Sequence, residues 1–396
     1  MPDRVILHCD CNNFYASVEL LSHPELRDQP VAVAGDPENR HGIILAKNNV
    51  AKRFGVQTAE TIWQARQKCP GLVLLPPHHH LYDEVSRQVN QIYLSVTDQV
   101  EAFSIDESWL DVTASRALFG DGVTIADMLR RRVREELGIT ISVGVSDNKT
   151  WAKMGSDYKK PDATTFITRD NVADILYPLP VGDMLFVGRA AAQTLIRHGI
   201  TTIGSLARCD KALLAQYLGK QGEGCWLMAN GLDDSPVRRW GESEPVKSIG
   251  NSTTYAHDLV GYEACRCGLM PLCDSVGARL RSQGLKCRTI TLQIKDPSLK
   301  VISRQHTLSL PTNLTRVIFQ EDCAILRQCW PENAPVRLLS VTATSLCDQD
   351  EAAPAQLSLL EEVQPDDPRQ AALEAAVDQL RSRFGKRSIK PGTPDV

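Results

Sequence analysis

Residues 101–112, EAFSIDESWLDV, carry two adjacent carboxylates, Asp106 and Glu107, inside a run of strand-forming apolar side chains. Successive side chains of a strand point to opposite faces, so a regular strand would bury one of the two charges. Burying an unpaired carboxylate is energetically costly. The pair therefore either marks a surface turn or faces positive partners. We interpret it as the tip of a hairpin whose two arms are anchored by apolar residues.

The segments around this hairpin follow the order strand, helix, hairpin, helix, strand. RVILHCD and ITISVGVS are typical of buried strands, and helices are predicted at LYDEVSRQVNQIYLSV and VTIADMLRRRVREELG, the second ending at Gly138. This order predicts a split βαβ arrangement, an antiparallel sheet with helices on one face. Such a sheet brings Asp10, at the end of the first strand, beside Asp106 and Glu107.

Composition and charge narrow the class of protein. With 42% hydrophobic and 23% charged residues the chain has a globular composition, and no apolar run is long enough to span a membrane. Its twelve cysteines include no C-x-x-C pair, which favours reduced thiols and a cytoplasmic location. The net charge is -4, yet residues 236–346 contain 14 Lys and Arg against 9 Asp and Glu. That excess fits a module that holds a polyanion, although chance fluctuation is the alternative.

Two groups of side chains are weak candidates for metal binding. They are the cysteines of ACRCGLMPLC, Cys265, Cys267 and Cys273, and the run 78–80, HHH. Tetrahedral zinc needs a second ligand pair at short spacing, which neither group offers. We therefore interpret the cysteines as apolar fillers of a helix and the histidines as a solvated helix start.

Convergent carboxylates are the stronger chemical signal. They repel one another, and hard divalent cations such as Mg²⁺ can keep them ionised together. Two such ions can clamp the attacking and the leaving oxygen of a phosphoryl transfer. Cations that could hold the phosphates follow at Lys52 with Arg53 and at Lys159 with Lys160, although each alone also fits a solvated surface.

Several ordered motifs carry a family resemblance: HCDCNNFYASVE, SIDESWLDV, SVGVSDNKTWAKMGSDYKKPD, KSIGNSTTY and QLSLL. Through them the chain resembles the Y-family, lesion-bypass DNA polymerases of the bacterial polymerase IV type over residues 5–387. The resemblance implies an α+β multidomain fold, with a split βαβ (ferredoxin-like) palm, helical fingers and thumb, and a C-terminal α+β little finger. The implied boundaries are palm 1–18 and 76–168, fingers 19–75, thumb 169–234, linker 235–247, little finger 248–346 and a flexible tail 347–396.

The resemblance also implies roles for single residues around the hairpin. Asp10, Asp106 and Glu107 fall on the catalytic carboxylates, which bind two Mg²⁺ ions together with the backbone carbonyl of Cys11. Tyr15, next to Phe14, falls on the steric-gate position, where an aromatic ring clashes with a 2′-hydroxyl. On the residues alone, a core aromatic is the favoured interpretation of Tyr15.

Further positions are implied for the nucleotide, the DNA and a partner protein. The substrate-binding residues are Phe14, Tyr15, Asn49, Lys52 and Lys160. Asn49 and Lys52 depart from the family's usual tyrosine and arginine, and lysine lacks the planar fork of arginine. The residues expected around the nascent base pair are Ile43, Leu45 and Ala59. The residues expected at the DNA are Gly188, Lys247 and Ser248, with helix capping as the alternative for Gly188 and for Gly199. The residues expected to dock on a sliding clamp are Gln356, Leu357, Leu359 and Leu360.

The expected function is template-directed, error-prone translesion synthesis on primer-template DNA with dNTP substrates, by a monomer without a membrane partner. Three alternatives stay open: an accessory-subunit-dependent enzyme of polymerase V type, a non-catalytic DNA-binding scaffold, and a nucleotidyl cyclase. The complete set of three carboxylates disfavours the scaffold. A thumb, a basic distal module and a clamp-like tail disfavour the cyclase.

Overall fold

The computed structural model describes residues 4–36, 42–349, 368–386, 388–390 and 392. The chain forms two compact units, the first ending at Ser243 and the second beginning at Glu244. In the described ranges no helix has both the length and the apolar character that a membrane crossing requires.

The first unit contains eight strands and twelve α-helices among its described residues. The strands are β1 Ile6–Cys11, β2 Val31–Ala34, β3 Ile44–Lys47, β4 Val73–Leu75, β5 Val100–Ala102, β6 Glu107–Asp111, β7 Ile141–Ser146 and β8 Thr164–Phe166. The helices are α1 Phe14–Ser22, α2 Asn49–Arg53, α3 Ile62–Lys68, α4 His79–Leu94, α5 Arg116–Phe119, α6 Gly122–Leu137, α7 Lys149–Tyr158, α8 Val172–Ile175, α9 Arg189–Arg197, α10 Ile203–Ala207, α11 Lys211–Leu218 and α12 Lys220–Ala229. Short 3₁₀ turns lie at Pro24–Leu26 and Val181–Asp183.

The main sheet has the strand order β5-β6-β1-β7-β8. Strand β1 pairs antiparallel with β6 and with β7, and β5 pairs antiparallel with β6, so β1 and β5 run parallel with β6 between them. This is the predicted split βαβ arrangement, and it confirms the α+β fold class. At its far edge β8 adds a parallel strand beside β7.

Strand β1 is buried on both faces. One face packs with α1, α4 and α6, and the other packs against α7 through Ile6, Trp109 and Ala152. The expectation of helices on one face only was therefore wrong. The reason is visible in RVILHCD, whose near-continuous apolar run is typical of a strand covered on both sides.

The remainder of the first unit forms two smaller cores. Strands β3-β2-β4 make a three-stranded sheet that packs with α2 and α3. Helices α8 to α12 pack around a separate apolar cluster. Beyond α12 the chain continues in irregular structure over the main sheet, where Val237 is buried beside Ile6 and Trp109.

The second unit is a four-stranded antiparallel sheet with helices packed on it. Its elements are β9 Ser248–Leu259, α13 Tyr262–Ser282, β10 Leu285–Lys295, β11 Val301–Thr312, α14 Thr315–Cys329, β12 Val336–Asp348 and α15 Pro368–Phe384, with strand order β11-β10-β12-β9. Helix α15 is held by ion pairs of Arg281 with Glu374 and Asp378 and of Arg381 with Asp274. Cys265 and Cys273 pack in the core of this unit on α13, as interpreted from the sequence.

Strand β7 and helix α7 approach closely at Gly144. A Cβ added there would lie 1.9 Å from the carbonyl oxygen of Ala152 and 2.5 Å from the amide nitrogen of Ser156. We expect Gly144→Ala to lower the free energy of unfolding by about 3 kcal/mol, because backbone atoms cannot move aside locally. Gly224→Ala on α12, where an added Cβ meets nothing within 4 Å, is the matched control and should stabilise by about 1 kcal/mol. Urea unfolding measures both, and equal stability of Gly144→Ala and wild type would contradict the close contact.

Asp322 on α14 predicts a pH dependence of stability. It is fully buried, its Oδ2 accepts from the Cys273 thiol at 3.4 Å, and its Oδ1 has no partner in the described part of the chain. Burial raises the pKa of Asp322 from 3.8 to about 7. Between these pH values the unfolded chain loses the proton and the folded chain keeps it, so stability falls as pH rises toward 7.

We therefore expect Asp322→Asn to gain stability over wild type progressively from pH 4 to pH 7, by on the order of a few kcal/mol. Asp348→Asn, at an exposed position of β12, is the control. Unfolding measured across this pH range tests the difference. A constant gap between Asp322→Asn and wild type would show that this carboxyl does not titrate on unfolding.

Candidate active site

The backbone of the main sheet brings the predicted carboxylates together. Asp10, at the end of β1, lies directly across from Glu107, at the start of β6. The amide of Cys11 donates to the carbonyl of Asp106 at 3.0 Å, which fixes the hairpin tip beside β1. Residues nearly a hundred positions apart therefore meet at one end of the sheet. They border a cleft of about 430 Å³ lined by Asp10, Cys11, Asn13, Phe14, Tyr15, Leu45, Ala46, Lys47, Thr58, Ile105, Asp106, Glu107, Asp157 and Lys160.

The three carboxylates differ in their surroundings. Asp10 is buried, and Glu107 and Asp106 are half-buried. The side chains of Asp10 and Glu107 share a hydrogen bond. Asp106 instead accepts from the hydroxyl of Ser104 at 2.6 Å. The adjacent residues of the hairpin thus do point apart, and neither is buried without a partner.

Two ammonium groups face the acidic pair from the α7 side of the sheet. The Nζ of Lys153 lies 2.7 Å from Glu107 Oε1 and 3.3 Å from Asp10 Oδ2. The Nζ of Lys160 lies 2.7 Å from Asp10 Oδ2. Asp157 bridges the two lysines at 3.2 and 2.9 Å. The result is a network of carboxylates and ammonium groups in which every charge has an opposite partner.

The network shifts the pKa values of Asp10, Glu107, Lys153 and Lys160. Burial and then the hydrogen bond to Asp10 raise the pKa of Glu107 to about 7. Burial acts in the same direction on Asp10, but its hydrogen bond to Glu107 and the charges of Lys160 and Lys153 outweigh burial and lower its pKa. For both lysines, attraction to Asp10 and its neighbours outweighs burial and raises the pKa. The Asp10–Glu107 pair therefore takes up one proton as the pH falls through about 7, whereas Lys153 and Lys160 both keep their protons at this pH.

His8 lies on the same face of β1, two residues before Asp10. It is fully buried, and its Nδ1 is 2.8 Å from the hydroxyl of Ser156 on α7. Burial, followed by the charge of Lys153, lowers its pKa well below the ordinary value. The ring is thus neutral at physiological pH and packs edge-on to Trp109 without adding charge to the site.

Tyr15 forms one wall of the cleft. Its ring stacks on Tyr82, with centroids 4.0 Å apart and planes inclined by 12°, and meets His79 edge-on. The hydroxyl of Tyr82 donates to the buried carboxylate of Glu19. This hydrogen bond holds the Tyr82 ring in position against Tyr15. Phe14 lines the cleft from the core, where it is buried. Tyr15 therefore has a rigid support, as a steric barrier requires.

The residues predicted to bind phosphate do not all line the cleft. Lys160 lines the cleft, but Lys52 lies on the exposed side of α2, outside the lining. Lys47 lines the cleft in that region and donates to Thr58 at 3.0 Å. Asn49 reaches the cleft through Asn13, whose amide donates to Asn49 Oδ1 at 3.1 Å.

The residues predicted around a base pair lie on neighbouring backbone. Leu45, on β3, lines the cleft. Ala59, which has a left-handed φ of 69°, donates its N–H to the carbonyl of Ile44 at 2.8 Å. Ile43 pairs with Thr61 and is 40% exposed. Ile43 and Ala59 therefore flank the segment of Leu45 without lining the cleft.

The predicted DNA-binding residues lie at the start of a helix, after its end, or at the start of a strand. Gly188 is the N-cap of α9, and Gly199, with a φ of 79°, follows the end of that helix, so both occupy capping positions. Lys247 and Ser248 are exposed at the start of β9. The clamp-docking residues, 356–360, lie outside the described residues.

The donor set suits a hard divalent cation. Carboxylate oxygens of Asp10, Asp106 and Glu107 and the carbonyl of Cys11 are ligands that Mg²⁺ prefers. In the described ranges, however, no three metal-ligating side chains are arranged to hold an ion together. The ammonium groups of Lys153 and Lys160 instead form ion pairs with the carboxylates of Asp10 and Glu107.

Lys153 and Asp157 were missed by the sequence analysis. They lie four residues apart on α7, a spacing that places both on one helix face, and Lys160 follows three residues later. This K-x₃-D-x₂-K pattern was a usable signal. It escaped notice because charged residues at that spacing are most often a solvated helix surface.

Comparisons with known proteins agree with this geometry. Residues 9–157 match the impB/mucB/samB family, and residues 246–359 match its C-terminal domain. DNA polymerase IV of Acetivibrio thermocellus is 48% identical over 98% of this chain and 97% of that protein. DNA polymerase IV 1 of Bacillus subtilis is 37% identical over 98% of this chain and 92% of that protein.

Among solved structures, a chimeric Y-family DNA polymerase, Dbh-Dpo4(243-245)-Dbh, shares the fold. It superimposes with a TM-score of 0.76, covers 87% of this chain and 99% of its own, and is 22% identical. The two family domains span more than half of the chain, and the relatives cover almost all of it. The chain therefore belongs to the impB/mucB/samB family, as a Y-family DNA polymerase of the polymerase IV type.

Proposed function

We propose that this DNA-directed DNA polymerase carries out error-prone translesion synthesis in the cleft beside Asp10, Asp106 and Glu107. The observation that carries the proposal is the convergence of these carboxylates with Lys160 and Tyr15 around one open cleft. The primer 3′-hydroxyl loses its proton to solvent as its oxygen forms a bond to the α-phosphorus of a dNTP, and the bond from that phosphorus to the bridging oxygen breaks. Pyrophosphate leaves with its electron pair.

Family membership implies dependence on divalent metal, and we propose two Mg²⁺ ions. Asp10, Asp106, Glu107 and the carbonyl of Cys11 would hold them. When bound, such ions supply charge neutralisation at the attacking and leaving oxygens. The protein's part is to orient the carboxylates through the β1–β6 register and to place Lys160 where it can pair with triphosphate oxygens.

The substrate path follows from the exposed elements. Lys47 and Lys160, which line the cleft, face the triphosphate, and Asn49 and Lys52 lie on the adjacent helix α2 of the fingers segment. Leu45, flanked by Ile43 and Ala59, faces the nascent base pair. We propose that the N-terminus of α9 at Gly188 and the strand start at Lys247 and Ser248 contact DNA phosphates, which position the duplex without reading its sequence.

The proposed partners and setting follow the family resemblance. The segment 356–360 would dock on a sliding clamp, and the enzyme would act as a cytoplasmic monomer on primed DNA. An accessory-subunit-dependent enzyme of the polymerase V type is the alternative. Primer extension by the isolated chain on damaged and undamaged templates separates the two, because the alternative predicts extension only with added subunits.

The first test of the site replaces a carboxylate without changing its shape. We expect Asp106→Asn to reduce primer extension by at least about 100-fold, because the site loses a charged oxygen ligand. Affinity for primed DNA should stay near that of wild type. Asp98→Asn, at an exposed position that pairs with Arg239, is the matched control and should extend normally. Robust extension by Asp106→Asn would remove the site assignment.

The second test concerns sugar selection by Tyr15. We expect Tyr15→Ala to raise the efficiency of ribonucleotide relative to deoxyribonucleotide incorporation by about 100-fold, since the clash with the 2′-hydroxyl disappears. Tyr15→Phe keeps the ring on the Tyr82 stack and should keep the selectivity. Single-nucleotide incorporation with matched rNTP and dNTP gives the ratio. An unchanged ratio in Tyr15→Ala would exclude the barrier role.

A further inference from the structure

An exposed pair of aromatic side chains lies beside the acidic site and takes no part in the chemistry described above. Phe103 is on the hairpin that carries Asp106 and is 42% exposed, and Phe186 precedes α9 and is 54% exposed. Their rings meet at right angles with centroids 6.4 Å apart. Phe103 also packs on the buried ring of Trp109 at 4.7 Å. Together, Phe103 and Phe186 form an apolar patch supported from beneath.

The backbone of Phe186 adopts an unfavourable conformation that the packing of its side chain does not explain. Its φ is 64°, a left-handed conformation that is unfavourable for a bulky residue. The neighbouring side chains point inward, with Val187 buried in the helical core and Leu185 packed near Trp109. The carbonyl of Phe186 is held by the side-chain amide of Gln221 at 2.9 Å. A strained turn thus keeps a large apolar ring in solvent.

The patch lies close in the chain to two places where the proposed function puts DNA, the primer end at Asp106 and the phosphates at Gly188. Phe103 is three residues from Asp106, within about 11 Å along the chain, and Phe186 is two residues from Gly188, within about 7 Å. A primer whose 3′-hydroxyl is at Asp106 and whose phosphates reach the N-terminus of α9 would bind next to both elements that carry the rings. Aromatic rings contribute to holding nucleic-acid strands through contact with bases and sugars.

We propose that Phe103 and Phe186 form a contact surface for the terminal nucleotides of the primer strand. This inference rests on the proposed polymerase function and adds a binding surface for one specific strand. The rings contact the sugar and base edges of the primer end and hold its 3′-hydroxyl at the carboxylates. They are positioning residues, and the strain at Phe186 is retained because an outward ring is needed there.

The test uses Phe186→Gly, because glycine adopts a φ of 64° without strain. We expect this variant to be as stable as wild type or more stable in urea unfolding. Its Kd for a labelled primer-template should rise about 10-fold, in the range of lost base–aromatic contacts. Its affinity for the unprimed single-stranded template and its KM for dNTP at saturating DNA should be unchanged.

Phe103→Ala should weaken primer-template binding similarly, and Phe103→Leu should weaken it less. Leu118→Ala, which removes an 82% exposed apolar side chain on α5, is the matched control and should bind DNA normally. Unchanged primer-template affinity in both Phe186→Gly and Phe103→Ala would overturn the proposal. So would a marked loss of stability in Phe186→Gly, since the ring would then be a packing element.

Equal losses of affinity for primed and unprimed DNA would also contradict a contact with the primer strand. These outcomes are separable from failure of the proposed function. If wild type extends primers and Asp106→Asn does not, the polymerase assignment stands whatever the aromatic variants do. If wild type does not extend primers at all, the polymerase proposal itself fails.

Discussion

The charge balance between Asp10, Glu107 and the ammonium group of Lys153 is the interaction on which the rest of the site depends. Two carboxyl groups on paired strands would repel if both ionised at this depth. Lys153 lies 2.7 Å from one and 3.3 Å from the other, and Lys160 adds a second cation at Asp10. A divalent ion held by these carboxylates would have to replace ammonium contacts that already satisfy their oxygens.

Packing of the main sheet determines where those ammonium groups lie. Lys153 reaches the acidic pair only because α7 lies directly on β7, and Gly144 is what permits that approach. Gly155 on α7 continues the contact, since a Cβ there would lie 3.0 Å from Gly144 Cα. A side chain at either glycine would push α7 away from β7 and separate the ammonium group of Lys153 from the carboxylates of Asp10 and Glu107. The stability of the sheet and the electrostatics of the site are therefore coupled through a contact that contains no charged atom.

The sequence predicted the parts of the site that local pattern controls. The order of strands and helices along the chain was sufficient to predict the split βαβ arrangement and the meeting of Asp10 with Asp106 and Glu107. Lys153 could not be ranked above other lysines, because its importance comes from a helix–sheet distance that a linear pattern does not contain. Lys47 lines the cleft and Lys52 does not, because which of the two reaches the cleft depends on how β3 turns into α2. Site residues were predicted where their positions follow from the pattern of strands and helices. They were missed where their positions depend on tertiary packing.

The base of the hairpin that carries Asp106 also depends on tertiary contacts that the linear sequence does not show. Glu101 on β5 is 7% exposed and accepts from Lys149 at 2.8 Å and from the guanidinium and amide of Arg238 at 2.8 and 3.0 Å. Burial opposes ionisation of Glu101, but these donors outweigh it and lower its pKa. Arg238 belongs to the segment that composition suggested was a linker. Because that segment ties the arm of the hairpin to the start of α7, the position of Asp106 depends on residues that looked like a spacer.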